Sequence, residues 1–233
     1  MPTTTPTLHY IHDPLCGWCY GAAPLVKVAR ETLPVVAHAG GMMAGAQRRP
    51  VTPELRAFVV SHDRRIAQAT GQPFGSAYSD GLMCDARAVL DSAPPITAVL
   101  AADSLGQRGL DMLARLQKAH YVEGQRIADV PVLQTLAAGL GLDAAAFAEA
   151  YRRFEGAPTL AHVAESRALL NRVDGQGFPT FVLATEGRWQ RVDIGPYLGQ
   201  PEAWRAWLLA QEGVQAAQPG ASGPLCGLDG CTP

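Results

Sequence analysis

Five cysteines are the residues of this sequence best equipped for chemistry, and their spacing sorts them. Cys16 and Cys19 form C-G-W-C, Cys226 and Cys231 form C-G-L-D-G-C near the other end, and Cys84 stands alone. A C-x-x-C that opens a helix sets its first sulfur beside unpaired backbone N–H groups and the positive end of the helix dipole, both of which favour thiolate. The second cysteine, one turn along, can attack the first and resolve a mixed disulfide. On this reading Cys16 is the nucleophile and Cys19 the resolver. The same two residues could be half of a zinc site, but zinc wants four ligands and the only other pair lies in the distant tail. Thiol–disulfide exchange is therefore favoured, with no metal and no cofactor.

The elements around C-G-W-C support that choice. Leu8 to His12 reads as a strand that Asp13-Pro14 ends. A helix is expected from the first cysteine to about Leu33, with Ala22, Leu25, Val26, Ala29 and Leu33 on its buried face and a kink at Pro24. Val35 to Ala39 reads as a second strand. C-x-x-C thus falls at the strand-to-helix junction of a strand–helix–strand unit. Thr52 and Pro53 can open the next helix, whose inner stripe would be Leu55, Phe58, Val59, His62 and Ile66 until Gly71. After a Gly/Ser-rich loop, helical segments are expected over 85–92, 95–104, 108–122, 130–140, 143–154 and 158–172, with no strand between them. Thr180 to Ala184 and Trp189 to Ile194 read as a hairpin, and Pro201 can start a last helix buried through Trp204, Trp207 and Leu208. From Glu212 the tail is rich in Gly, Pro, Ser and Ala.

Composition excludes several other functions. In 233 residues, 48% hydrophobic and 17% charged, there is material for a core. The longest apolar run, Ile96 to Ala102, includes a threonine and is far short of the ~18 residues of a membrane span. Nineteen basic and twenty-one acidic residues leave a net charge of −2 and no block of one sign, which argues against nucleic acid or an anionic membrane as partner. Met1 to Thr7 lacks the positive start and apolar stretch of a secretory signal, so the expected location is cytoplasmic, where thiols are kept reduced.

Gly177-Phe178-Pro179-Thr180 is the second constellation. Alone it is an ordinary strand start, since a first strand position needs no N–H. With the C-x-x-C it completes a resemblance. D-P-L-C-G-W-C-Y at 13–20 resembles the active site of the thioredoxin superfamily, in particular the DsbA family and its cytoplasmic FrnE-like branch. Pro24 is similar to the kinking proline of thioredoxins, and Gly177 to Phe181 to their cis-proline strand. The segment 119–124, with Val132-Leu133 and 139–143, is like the branch's helical lid, and Cys226/Cys231 is similar to an extra C-x₄-C of some members.

The resemblance implies an α/β, thioredoxin-like fold with a large all-helical insertion: a thioredoxin-like domain of residues 7–45 plus 166–212, the insertion at 46–165, and a tail at 213–233. It further implies a protein disulfide oxidoreductase or isomerase in which Trp18, Phe178 and Pro179 hold the substrate and Cys226/Cys231 form a secondary redox pair. Its partners would be protein thiols and disulfides, with glutathione or a thioredoxin-type protein for recycling. One position departs from the family: thioredoxins carry a buried carboxylate where this chain has Tyr10, leaving His12, Asp13 or water as proton acceptor for Cys19. The alternatives are a small-molecule isomerase or glutathione transferase of the kappa and hydroxychromene-carboxylate isomerase type, and a zinc-binding module. Cys84 is expected to be a small buried or partly buried hydrophobe. His62 and His120 are expected to be packing or capping residues, and Trp18 is expected to be exposed beside the cysteines.

Overall fold

The computed structural model describes residues 6–211 and 213–214, so Cys226 and Cys231 lie outside the described residues. Strand β1 (Thr7–His12) runs into the Asp13-Pro14 turn, and helix α1 (Gly17–Gly21) starts directly after Cys16. Helix α2 (Ala23–Arg30) follows after a break at Ala22. The single helix expected to run to Leu33 is therefore two helices. Pro24 has no N–H for the carbonyl a turn earlier, and its ring crowds that carbonyl, so it sits in the first turn of α2, where no donor is needed.

Strand β2 (Val35–Ala39) lies parallel to β1, with Leu8 opposite Val35 and His12 opposite Ala39. Beyond it come β3 (Arg49–Pro50), α3 (Pro53–Thr70) and β4 (Val89–Leu90). Thr52 Oγ1 accepts from the Leu55 N–H at 3.2 Å, and Gly71 closes α3 in the left-handed region at φ 72°. Both ends of α3 thus follow the capping residues in the sequence.

The helix expected over 85–92 does not form. Asp85 turns the chain instead, its carboxylate accepting from the Arg87 N–H and its carbonyl from Ala88. Val89 and Leu90 then pair with Pro50 and Arg49. Two residues per strand are too few for any periodicity to register. Helices α4 (Ala93–Ser104), α5 (Gly109–Tyr121), α6 (Val130–Gly139), α7 (Ala144–Phe154) and α8 (Ala157–Arg172) match the other expected segments within a few residues. α4 is the hub of this group, packing on α5, α6, α7 and α8.

The chain returns to the sheet through β5 (Thr180–Thr185) and β6 (Arg188–Val192), then ends in α9 (Pro201–Leu209). The four-stranded order is β2-β1-β5-β6, with β5 antiparallel to both neighbours. This is a thioredoxin-like fold with a helical insertion between β2 and β5. Leu8, Tyr10, Phe181 and Leu183 present one face of the sheet to Leu25 of α2 and Trp204 of α9. Trp204 is fully buried, and its Nε1 donates to the Leu25 carbonyl at 3.0 Å. Trp207 stacks on it from a half-buried position.

Two expectations about burial need correction. Cys84 is exposed, because Leu82 and Met83 take the buried side of its short turn. On α3 the buried residues are Asp63, Ile66 and Thr70, while Phe58 is 62% exposed. The apolar stripe of α3 faces a cavity, described below, instead of solid core.

Trp204→Ala would remove both the packed indole and its hydrogen bond. A loss of about 3–5 kcal/mol of stability is expected from urea unfolding. A loss below about 1 kcal/mol would mean that α9 contributes little to holding α2 on the sheet.

Candidate active site

The turn between β1 and α1 is built on Asp13. Its Oδ1 accepts from the Leu15 N–H at 2.8 Å and the Ser92 hydroxyl at 3.0 Å, and its Oδ2 from the Met42 N–H. One fully buried carboxylate thus ties the active-site turn to the loop after β2 and to the start of α4. The Asp13 carbonyl accepts from the Cys16 N–H, fixing the residue that caps α1.

Cys16 Sγ accepts from the Cys19 N–H at 3.4 Å and donates to the Phe178 carbonyl at 3.3 Å. Both cysteines are free thiols. Cys16 is 5% exposed and opens onto a cavity, whereas Cys19 is fully enclosed. Burial pushes the Cys19 thiol well above its ordinary value, and the neighbouring Cys16 sulfur adds to the shift. Cys19 therefore keeps its proton while Cys16 faces outward, an asymmetry suited to attack by one and resolution by the other.

Phe178 reaches Cys16 from the far end of the sequence. The Phe178–Pro179 peptide is cis, and Thr180 begins β5 opposite Ile11. The Phe178 ring lies so close to Gly40 that a Cβ there would stand 2.2 Å from it. Position 40 is thus glycine for want of space. Trp18 is half-buried, not exposed as expected, because it packs against the core and forms part of the cavity wall. The cavity holds about 460 Å³. Besides Cys16, Trp18 and Phe178, its lining includes the α3 stripe (Leu55, Phe58, Val59 and His62), which explains why that stripe is apolar yet not core.

Tyr10 fills the place of the buried carboxylate. Its hydroxyl donates to the Cys19 carbonyl at 3.3 Å, and burial keeps it neutral by pushing its pKa well up. Of the candidate proton acceptors, His12 is a buried neutral imidazole, lowered to about 3 by burial, with neither ring nitrogen hydrogen-bonded. Asp13 is raised to about 6 by burial, which outweighs its three donors. His120 packs among Tyr78 and Tyr121 as expected of a core histidine. Sequence reading missed Asp63, a carboxylate 7% exposed in the cavity wall. The signal was its place between Val59, His62 and Ile66 on an amphipathic helix, where a carboxylate interrupts the inward face.

Among the described residues, no group of three or more His, Cys, Asp or Glu is arranged to hold a metal ion, and no helix is long and apolar enough to cross a membrane. No protein-family model matches the chain, and no curated protein does either. Among solved structures, the chain is 57% identical to the cytosolic disulfide reductase DsbM from Pseudomonas aeruginosa, covering 87% of this chain and 96% of that one at a TM-score of 0.82. It belongs to the DsbA family. The chain is also similar to a probable DsbA oxidoreductase from Streptomyces coelicolor, at 20% identity, 97% and 98% coverage and a TM-score of 0.62, a likeness that shows the fold alone. The same holds for a 2-hydroxychromene-2-carboxylate isomerase at 16% identity, 87% and 95% coverage and a TM-score of 0.55. DsbM has also been solved with GSH, and that structure matches at a TM-score of 0.81, with 57% identity over the same shares of the two chains. This DsbA-family chain thus carries its C-G-W-C at the helix start, with the second cysteine enclosed.

Asp13 yields a pH test. Its folded pKa of about 6 lies above the ordinary 3.8, so the fold holds a proton that the unfolded chain has already lost across that window. This contribution is present at low pH and is lost as pH rises through about 6. Measured against Asp13→Asn by urea unfolding, wild-type stability should decline from about pH 4 to 6, by at most about 1.4 kcal/mol per pH unit. A flat difference between the two proteins would show that Asp13 is ionised throughout.

Proposed function

We propose that this chain is a cytosolic protein disulfide reductase of the DsbA family, with isomerase activity where a second substrate thiol, instead of Cys19, displaces Cys16 from the mixed disulfide. The observation that carries the reading is the contact of Cys16 Sγ with the Phe178 carbonyl, beside an enclosed Cys19. The 57% identity to a cytosolic disulfide reductase supports the direction and the compartment.

In the reaction, Cys16 thiolate attacks one sulfur of a substrate disulfide and the other sulfur leaves as thiolate. Cys19 then attacks Cys16, gives up its proton, and expels the first sulfur as a second thiol. The enzyme ends as the Cys16–Cys19 disulfide, and two electrons have passed to the substrate. Trp18 and the Phe178–Pro179 backbone border the attacking sulfur, so an extended substrate segment would lie along them. The domain division serves this scheme: residues 7–45 and 166–212 carry the thiols and the Pro179 strand, and 46–165 supply the cavity wall. Glutathione is the proposed recycling thiol, on the strength of the DsbM structure with GSH. A thioredoxin-type protein would serve the same purpose. Cys226 and Cys231, outside the described residues, are proposed as a second pair that exchanges with the first.

Cys16→Ser should abolish insulin reduction with a dithiol donor. Cys19→Ser should accumulate mixed disulfides, visible as mass adducts, because attack survives while resolution does not. Full turnover by Cys19→Ser without added thiol would overturn these roles. Deleting residues 222–233 should slow exchange, and an unchanged rate would remove the tail pair from the mechanism.

A further inference from the structure

Asp63 is a carboxylate to which thiol exchange, as derived so far, gives no task. Its Oδ1 lies 3.0 Å from where a Cβ on Gly17 would stand, and Gly17 directly follows Cys16. Its Oδ2 accepts from the Tyr78 hydroxyl at 2.9 Å. Tyr78 is the one hydrogen-bond donor reaching this carboxylate among the described residues, so Oδ1 is unengaged. Asp63 also lines the cavity onto which Cys16 and Phe178 open. Anchoring Tyr78 alone would be served by a neutral asparagine without the penalty of a buried charge.

We propose that Asp63 is the general acid of the exchange at Cys16, delivering a proton to the substrate sulfur that departs. The proposal rests on the reductase reading above. Protonated Asp63 and Cys16 thiolate meet the disulfide R–S–S–R′. The Cys16–S–S–R bond forms, the S–S bond breaks, and R′–S⁻ leaves as R′–SH with the proton of Asp63, which becomes carboxylate and regains a proton from water. An alkyl thiolate is a poor leaving group, because its departure rate falls as its basicity rises.

No other group at the cavity fits the task as well. Burial raises Asp63 to about 6, more than the Tyr78 hydrogen bond lowers it, so it exchanges its proton close to neutral pH. From α5, His120 is a neutral imidazole lowered to about 4 by burial, and Tyr121 is pushed well up by the same cause. Tyr78 is pushed up too, first by burial and then by Asp63 itself. On α3, His62 is turned toward Arg65. Arg49 of β3 carries a permanent charge and is exposed. Asp13, behind the active turn, has both oxygens engaged by Leu15, Met42 and Ser92.

The test compares two disulfides in single-turnover reactions of the reduced full-length protein. An aromatic disulfide, such as dithiobis(nitrobenzoic acid), releases a thiolate stable without a proton, whereas hydroxyethyl disulfide releases a basic one. Asp63→Asn should slow the alkyl reaction by roughly 10²-fold, the low end for general acid catalysis, and leave the aromatic one within about twofold. The wild-type advantage on the alkyl disulfide should shrink as pH rises through about 6 and the acid form is lost. Tyr78→Phe keeps the carboxylate but removes the bond that lowers its pKa, so that shrinkage should move to higher pH. Equal slowing of both disulfides by Asp63→Asn, or no movement of the pH limit in Tyr78→Phe, overturns the proposal. Wild-type protein that reduces neither disulfide overturns the reductase reading and this proposal with it. Activity on both with unchanged selectivity in the variants overturns this proposal alone.

Discussion

The register of β5 against β1 is the constraint on which the site depends. Ile11 faces Thr180, and Cys16 and Phe178 lie just beyond those two residues at the same end of the sheet. Sliding that pairing by one residue would flip Phe181 and Leu183 out of the core. It would also carry the Phe178 carbonyl away from Cys16 Sγ. The core packing of Tyr10 against Phe181, and of Phe181 against Trp204, therefore sets the position of the Cys16 sulfur as well as the stability of the sheet.

Burial does the electrostatic work. It keeps Cys19 and Tyr10 protonated and His12 neutral, so the interior behind Cys16 holds little charge. The exceptions are two carboxylates. Asp13 is tied down by three donors and links β1, the loop after β2 and the start of α4. Asp63 has one donor and faces the cavity. The same residue type in similar burial is structural where its lone pairs are filled and available for chemistry where they are not.

The four strands of the main sheet, the C-x-x-C junction, the hairpin and the last helix were legible in the sequence because each has a local cause: alternation, a proline, a cap or a turn. The break between α1 and α2 was half-legible. Pro24 announced a disturbance, but not that the helix would divide in two at Ala22. The β3–β4 pairing was not legible, since two-residue strands carry no period and their partners lie far apart in the chain. The α3 stripe was found, but its destination was not. Apolar periodicity tells that Leu55, Phe58 and Val59 share a side, and cannot tell core from a cavity beside Cys16. Cys84 and Trp18 failed for a related reason, because a short stretch of sequence does not say which side chain its neighbours leave outside.

Gly40 has a thermodynamic consequence for whatever binds at Cys16. With the Phe178 ring held against a residue that has no side chain, and its carbonyl engaged by the Cys16 sulfur, the backbone a substrate would meet is already fixed. Ordering a free loop on association typically costs about 0.5–1.5 kcal/mol for each immobilised side chain. Here that entropy was lost when the protein folded. On the proposed reading, a partner would then be recognised through a few backbone contacts, weakly enough to leave once its sulfur had been exchanged.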